Sequence, residues 1–399
     1  MPIIRQPHYD LTQRPFLVIW EATQACDLAC RHCRASSQPH RHPEELTSDE
    51  ARHLIDQVEA FGHPRPLFII TGGDPFKRED LFDLSAYASE KGLMPAVSPS
   101  GTPLLNRENL GHLKESGTRV ISLSLDGSTP EFHDDFRRVP GSYQLTLDGW
   151  RAAQELGIKV QVNSTVTGHN LDDLPRLLEL VREMGAMTWS VFFLVPTGRG
   201  QADDMISPQD HEAVMNFLYE ASHMVSLKTT EGHHYKRVVL QRQALEERGL
   251  PPEDHLPLNH TYYRLRDGLA QVGRAPAVPA PQERMRRSPL HINAGDGFVF
   301  VSHRGEIYPS GYLPLAAGSV REAPLAEVYR ESQIFRSLRD RSKLEGRCGR
   351  CEFNRVCGGS RSRAFAFTGN PLAEDPSCMY EPGSFPFGLE TTPETREAS

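Results

Sequence analysis

Residues 20–37 read WEATQACDLACRHCRASS and place three of the chain's seven cysteines, Cys26, Cys30 and Cys33, in the pattern C-x3-C-x2-C. A closed zinc site takes four ligands, and the nearest fourth donor, His32, adjoins Cys33 and would strain to bind the same ion. A four-iron cluster held by three thiolates instead leaves one iron open to nitrogen and oxygen ligands. Three thiols without a fourth is therefore the donor set expected of a cluster that does chemistry. The remaining cysteines, Cys348, Cys351, Cys357 and Cys378, all lie in the last quarter of the chain.

Outward from this stretch, an apolar, β-branched run recurs six times: FLVIWE (16–21), PLFIITGG (66–73), MPAVSPSG (94–101), RVISLSLDG (119–127), KVQVNSTVT (159–167) and WSVFFLVP (189–196). All but the last are followed by a polar turn and a segment of helical spacing. Near-continuous apolar runs suit strands covered on both faces, and their alternation with helices suits a parallel sheet. Thr47 and Glu50 form a capping box at the start of one helix, and Gly92, Gly117 and Gly157 close others. The fold class is α/β, a partial (β/α)6 TIM-like barrel with its site at the C-terminal ends of the strands. The three cysteines, Gly72-Gly73-Asp74, Ser98 and Ser100, Ser124 and Asp126, and Asn163 then share one rim. Taken singly, each of the non-cysteine residues has an ordinary turn-forming role as its alternative.

Composition narrows the function. The 399 residues carry 44 Lys plus Arg against 52 Asp plus Glu, a net charge of −8, which favours neither nucleic acid nor an anionic membrane. No apolar run approaches a membrane span, and the opening MPIIRQPHYDLTQRPF lacks a signal peptide's layout, so a cytoplasmic location is expected. In a reducing compartment the cysteines are expected as metal ligands rather than disulfides.

CDLACRHC after the first strand, GGDP after the second, SLDG after the fourth and six β/α units together resemble the radical S-adenosylmethionine (SAM) superfamily over residues 16 to about 200. The resemblance implies that Cys26, Cys30 and Cys33 hold a [4Fe-4S] cluster whose open iron chelates SAM, and that reductive cleavage of SAM gives a 5'-deoxyadenosyl radical. It assigns Gly72, Gly73 and Asp74 to the loop that meets the methionine ammonium, with Asp74 in place of the commoner Glu. Ser124, Asp126 and Asn163 stand at family SAM contacts, and Arg137, with Arg138 as its neighbouring alternative, pairs the SAM carboxylate. His32 stands against the adenine. A flavodoxin or ferredoxin would supply the electron.

CGRCEFNRVCGGSRSRAFAFTGNPLAEDPSC (348–378) has four thiols, which alone read equally as zinc or as a fully ligated iron–sulfur cluster. It resembles the SPASM or twitch extension, which implies one auxiliary [4Fe-4S] cluster on Cys348, Cys351, Cys357 and Cys378. Val299, Ser310 and Ser360 occupy positions where relatives often have cysteine. Across the chain the motifs resemble the branch that contains the iron-coproporphyrin III decarboxylase and the heme d1 enzyme, which implies oxidative attack on a tetrapyrrole propionate. Arg199, Arg284, Arg286 and Arg287 are candidate partners for its carboxylates. The alternatives are a maturase of a ribosomal peptide or other natural product, and a non-catalytic iron–sulfur or zinc protein.

The expected organisation is an N-terminal extension (1–15), the barrel (16–200), a helical and linker insert (201–290), the auxiliary-cluster module (291–385) and a disordered tail (386–399). His233, His234, His255 and His260 in the insert are candidate substrate contacts, with a plain surface role as the alternative.

Overall fold

The computed structural model describes residues 9–272 and 291–387, with the side chain of Val272 excepted. Arg284, Arg286 and Arg287, residues 1–8 and the tail beyond 387 lie outside the described residues.

The six apolar runs form β1 (Leu17–Thr23), β2 (Leu67–Gly72), β3 (Pro95–Val97), β4 (Val120–Ser124), β5 (Lys159–Val166) and β6 (Thr188–Phe193), each parallel to the next. The sheet extends further at both ends. β7 (Leu227–Thr230) joins β6 in parallel, and β8 (Phe298–Val301) joins β1 in parallel. β8 then turns into β9 (Glu306–Tyr308), its antiparallel hairpin partner, and β9 pairs with β10 (Gly318–Ser319). The strand order is β10-β9-β8-β1-β2-β3-β4-β5-β6-β7. The β8–β9 hairpin is therefore a continuation of the parallel sheet.

Alternation along the strands sorts the two faces. Val18, Trp20 and Ala22 of β1, Ile121 and Leu123 of β4, Val160 and Val162 of β5 and Val299 and Val301 of β8 enter one apolar core with the helical residues Leu54, Ile55, Leu110 and Leu177. Each Val, Leu or Ile among them contributes about 1.5–3 kcal/mol relative to exposure. The intervening positions face the other side of the sheet and are more polar: Glu21 and Thr23, Ser122 and Ser124, Gln161 and Asn163, and Ser190.

The helices carry the expected punctuation. Thr47 and Glu50 make the reciprocal capping box of the helix Ser48–Glu59. Gly92, Gly117 and Gly157 follow helices at φ of 73°, 95° and 74°, the left-handed region in which a Cβ is disfavoured.

The edge strands are β7 and β10, and one carboxylate ties the β7 side to the C-terminal module. Glu231, just past β7, is buried at φ 55°, a conformation uncommon for a residue with a Cβ. Its carboxylate accepts hydrogen bonds from Ser310 (3.4 Å), Ser362 (2.9 Å) and Ser360, and its carbonyl accepts one from Arg363 Nη2 (2.8 Å). Ser310 and Ser360, two of the serines singled out above for standing in place of cysteine, thus share one acid. Among the described residues no helix is long and apolar enough to cross a membrane.

Candidate metal centres

The loop after β1 is closed at its base, where Cys26 N donates to Gln38 O (2.7 Å) and Gln38 N to Gln24 O (3.1 Å). Buried Glu45 fastens the same base, accepting from Thr23 Oγ1 (2.7 Å), Gln24 N (2.9 Å) and His42 N (3.2 Å). Within it, Cys26 and Cys30 are buried and Cys33 is half-buried. Three neighbouring segments hold this loop in place.

The first segment is the loop after β2. Gly73 N and Asp74 N donate to Thr23 O (2.8 Å) and Ala25 O (2.6 Å). A Cβ on Gly73 would stand 2.7 Å from both Ala25 C and Gln24 O, so only glycine permits this approach. The Asp74 carboxylate is buried and accepts from Thr102 Oγ1 (2.7 Å), Phe76 N (3.2 Å) and Ser100 N (3.4 Å). It serves the site by fixing the loop. Ser100 Oγ in turn donates to Gly73 O (2.8 Å) and lies 3.6 Å from Cys26 Sγ.

The second is the helix Pro130–Arg137. Its last carbonyls, which have no partner inside the helix, accept from the cysteine loop: Arg31 N to Phe136 O (3.0 Å) and Ala29 N to Arg137 O (3.3 Å). Arg138 caps the helix at φ 56° with its side chain exposed, while Arg137 is buried against the cysteines. The two neighbours that sequence could not separate are separated here. Arg137 Nη1 donates to Cys30 Sγ (3.4 Å) and Nη2 to Asp126 Oδ2, and Nε is buried without a partner among the described residues. Burial alone would raise the Asp126 carboxyl, but the Arg137 guanidinium overrides it and holds the group below the usual carboxylate range.

The third is the turn after β6. Arg199 N donates to Cys33 O (2.9 Å), Nε to Cys30 O (2.9 Å) and Nη1 to Ser37 O (3.0 Å). Arg199, expected to meet a substrate carboxylate, is thus engaged as a brace of the cysteine loop.

The remaining expected contacts gather here. Ser124 stands opposite Asn163 in the β4–β5 register. β5 runs on to Val166, so Asn163 lies within the strand rather than at its end, and its Oδ1 accepts from Gln161 (2.8 Å). His32 stacks on Phe136 with ring centroids 4.4 Å apart. Burial and then the Arg137 charge lower its pKa to about 3, so the imidazole is neutral at working pH. Burial likewise raises the Cys26 thiol, so holding it as a thiolate calls for a bound cation. The donor set and its N–H and O–H neighbours fit an iron–sulfur cluster.

The C-terminal thiols form a second centre. Cys348, Cys351, Cys357 and Cys378 line one cavity with His234 and Arg237. Gly358 and Gly359, both at φ 65°, turn the chain between them, and a Cβ on Gly359 would lie 3.0 Å from Cys348 Sγ. Asp375 N and Gly359 N point at the sulfurs of Cys348 (3.5 Å) and Cys357 (3.4 Å). Burial pushes the Cys351 and Cys357 thiols up to about 11 and Cys378 up to about 12. The sulfurs ring a cavity rather than converge: among the described residues no three His, Cys, Asp or Glu side chains close on a single ion. A cubane takes one thiolate per iron, so this arrangement fits it.

Of the four candidate histidines, only His234 reaches a centre, with Nε2 3.0 Å from Asp375 Oδ2. His255 instead packs edge-on against Phe387 (5.2 Å). Arg361, Asp375 and Glu231 were not singled out from the sequence, because a lone charge acquires its meaning only from the sulfur or hydroxyls folded against it.

Comparison with known proteins identifies the family. The model of the radical SAM superfamily matches residues 20–181. The AdoMet-dependent heme synthase of Methanosarcina barkeri is 38% identical over 375 residues, covering 94% of this chain and 99% of that protein. The pre-heme d1 synthase of Dinoroseobacter shibae is 31% identical over 379 residues, covering 92% and 86%. Among solved structures, anSMEcpe with bound AdoMet and Cp18Cys peptide superposes with a TM-score of 0.63 at 15% identity over 91% of this chain and 93% of that one, a likeness of fold.

Proposed function

Because the chain belongs to the radical SAM superfamily, we propose that it converts propionate side chains of a tetrapyrrole to vinyl groups by oxidative decarboxylation. The observation that carries this reading is the similarity to a heme synthase over 94% of this chain and 99% of that protein.

Cys26, Cys30 and Cys33 would hold the first [4Fe-4S] cluster. With SAM bound, that cluster supplies a 5'-deoxyadenosyl radical, the species that takes a hydrogen atom from substrate. The chain's own residues orient SAM. The backbone of Gly72 and Gly73, fixed by Asp74, meets the methionine ammonium, and the free edge of Arg137 meets the carboxylate, with Asp126 holding the fork. Ser124 and Asn163, neighbours across two strands, serve the ribose, and neutral His32 serves the adenine.

The electron balance gives the second centre its task. A propionate that has lost a hydrogen atom becomes a vinyl group on releasing carbon dioxide and one electron. Cys348, Cys351, Cys357 and Cys378 would hold a second [4Fe-4S] cluster with a thiolate for each iron, which would be suited to take that electron. Reduced flavodoxin or ferredoxin would feed the first cluster, and the setting is cytoplasmic.

The test is an anaerobic reaction of the reconstituted protein with SAM, reductant and iron-coproporphyrin III, followed by mass spectrometry. Loss of the elements of formic acid per propionate, matched by 5'-deoxyadenosine, is expected. Deoxyadenosine with an unchanged porphyrin would sink this substrate and turn attention to peptides.

A further inference from the structure

Arg361 opens the helix Arg361–Thr368, and its side chain is 0% exposed. A guanidinium stays charged in proteins, so burying one is costly unless an opposite charge accompanies it. Other buried arginines follow that rule: Arg363 pairs with Asp375 at 3.0 Å and Arg237 with Glu212. Arg361 does not. Its hydrogen bonds run to the carbonyl oxygens of Ala373 (2.7 Å), Pro371 (2.9 Å) and Gly359 (3.4 Å), and from Nη2 to Cys348 Sγ (3.5 Å). Carbonyl dipoles solvate a cation but do not neutralise it. Among these partners only the Cys348 sulfur can carry negative charge.

We propose that Arg361 is the built-in counter-ion of the anionic group held by Cys348, Cys351, Cys357 and Cys378, and that it raises the reduction potential of that group. The proposal rests on the reading that these thiolates hold an iron–sulfur cluster. Such a cluster is net anionic and gains a further negative charge on reduction. A fixed cation donating to one of its sulfurs therefore favours the reduced form, as hydrogen bonds to cluster sulfurs do in general. That direction suits an acceptor: one electron leaves the substrate radical together with carbon dioxide, and one enters the cluster. Arg361 touches a ligand rather than substrate, so it is a positioning and tuning residue.

The test is a potentiometric titration, followed by electron paramagnetic resonance, of the full-length reconstituted protein and its Arg361→Met and Arg361→Lys variants, tracking the signal that SAM leaves unchanged. Met keeps the reach of the side chain without the charge. Arg361→Met is expected to shift the reduced-to-oxidised ratio at fixed potential at least tenfold toward the oxidised form, about 59 mV for one electron. Arg361→Lys is expected to recover most of that shift. An unmoved midpoint in Arg361→Met at wild-type iron content overturns the assignment. If Arg361→Met loads no cluster, Arg361→Lys decides: wild-type-like loading and midpoint support a charge role, and loading no better than Met overturns it. Wild-type protein with about four irons and one zinc per chain would overturn the cluster reading itself, whereas about eight irons with an unmoved midpoint overturns only the role of Arg361.

Discussion

Arg137 Nη1 lies 3.4 Å from Cys30 Sγ, and its other arm pairs with Asp126 just past β4. One side chain thus links the cysteine loop to the far side of the rim and still presents a buried, unpartnered Nε among the described residues. Arg137→Met leaves Asp126 buried and unpaired, which costs about 3–5 kcal/mol. Arg137→Lys keeps the charge but not the fork. The lysine variant is expected to keep the first cluster's iron and to bind SAM at least tenfold more weakly, measured by the SAM-induced change in the cluster's paramagnetic resonance signal. Wild-type SAM affinity would refute the role of the fork.

Gly73 sits against the backbone of the cysteine loop with no room for a Cβ. Gly73→Ala would place a methyl 2.7 Å from Ala25 C and Gln24 O, both backbone atoms that cannot step aside. Overpacking of this kind costs about 1–3 kcal/mol, spent here at the mouth of the first centre. The variant is expected to fold but to load about half the wild-type iron and to lose most deoxyadenosine formation. Full loading with wild-type turnover would show that the contact relaxes freely.

The two cysteine sets predict a division of labour. Cys26→Ala removes a thiolate from the first centre and is expected to abolish deoxyadenosine formation. Cys351→Ala opens the second centre and is expected to spare part of that cleavage while product disappears. Chromatography of deoxyadenosine and porphyrin from the same reaction separates the cases. Complete loss of deoxyadenosine in both variants would contradict separate tasks.

The sequence discloses most of what is local. Cys26, Cys30 and Cys33 are legible because their spacing is itself the chemistry, and β1–β6 because strands covered on both faces need apolar runs. β7 was not legible: Leu227–Thr230 reads LKTT and is nowhere fully buried. The parallel pairing of β8 with β1 was not legible either, because it joins residues far apart in sequence. Arg137 and Arg138 are chemically identical, and only the left-handed cap at Arg138 decides which faces the cysteines. Arg199 read as a cation for substrate because its carbonyl partners, Cys30 and Ser37, lie on a distant loop.

Glu231 offers the sharpest pH test. Burial pushes its carboxyl above the ordinary value of 4.5; the Ser360 and Ser362 hydroxyls and the Arg363 charge oppose the rise, and Asp375 adds to it. The folded protein therefore keeps this proton to higher pH than the unfolded chain. As pH rises past 4.5 the unfolded state ionises first, so stability falls until the raised folded value is passed. Glu231→Gln has no proton to lose there, and its amide oxygen still accepts from the serines. Asp375, held well below its usual range by Arg363 and His234 against the cost of burial, is ionised in both states above about pH 5 and adds little slope. His211, kept neutral by burial and the Arg363 charge, and His234 are common to both proteins, so the difference between them isolates position 231. Anaerobic denaturant unfolding at a series of pH values above 4.5 is expected to show the variant gaining on the wild type as pH rises. A gap that stays constant or narrows with pH would mean that Glu231 is already ionised in the fold, with Arg363 outweighing its burial.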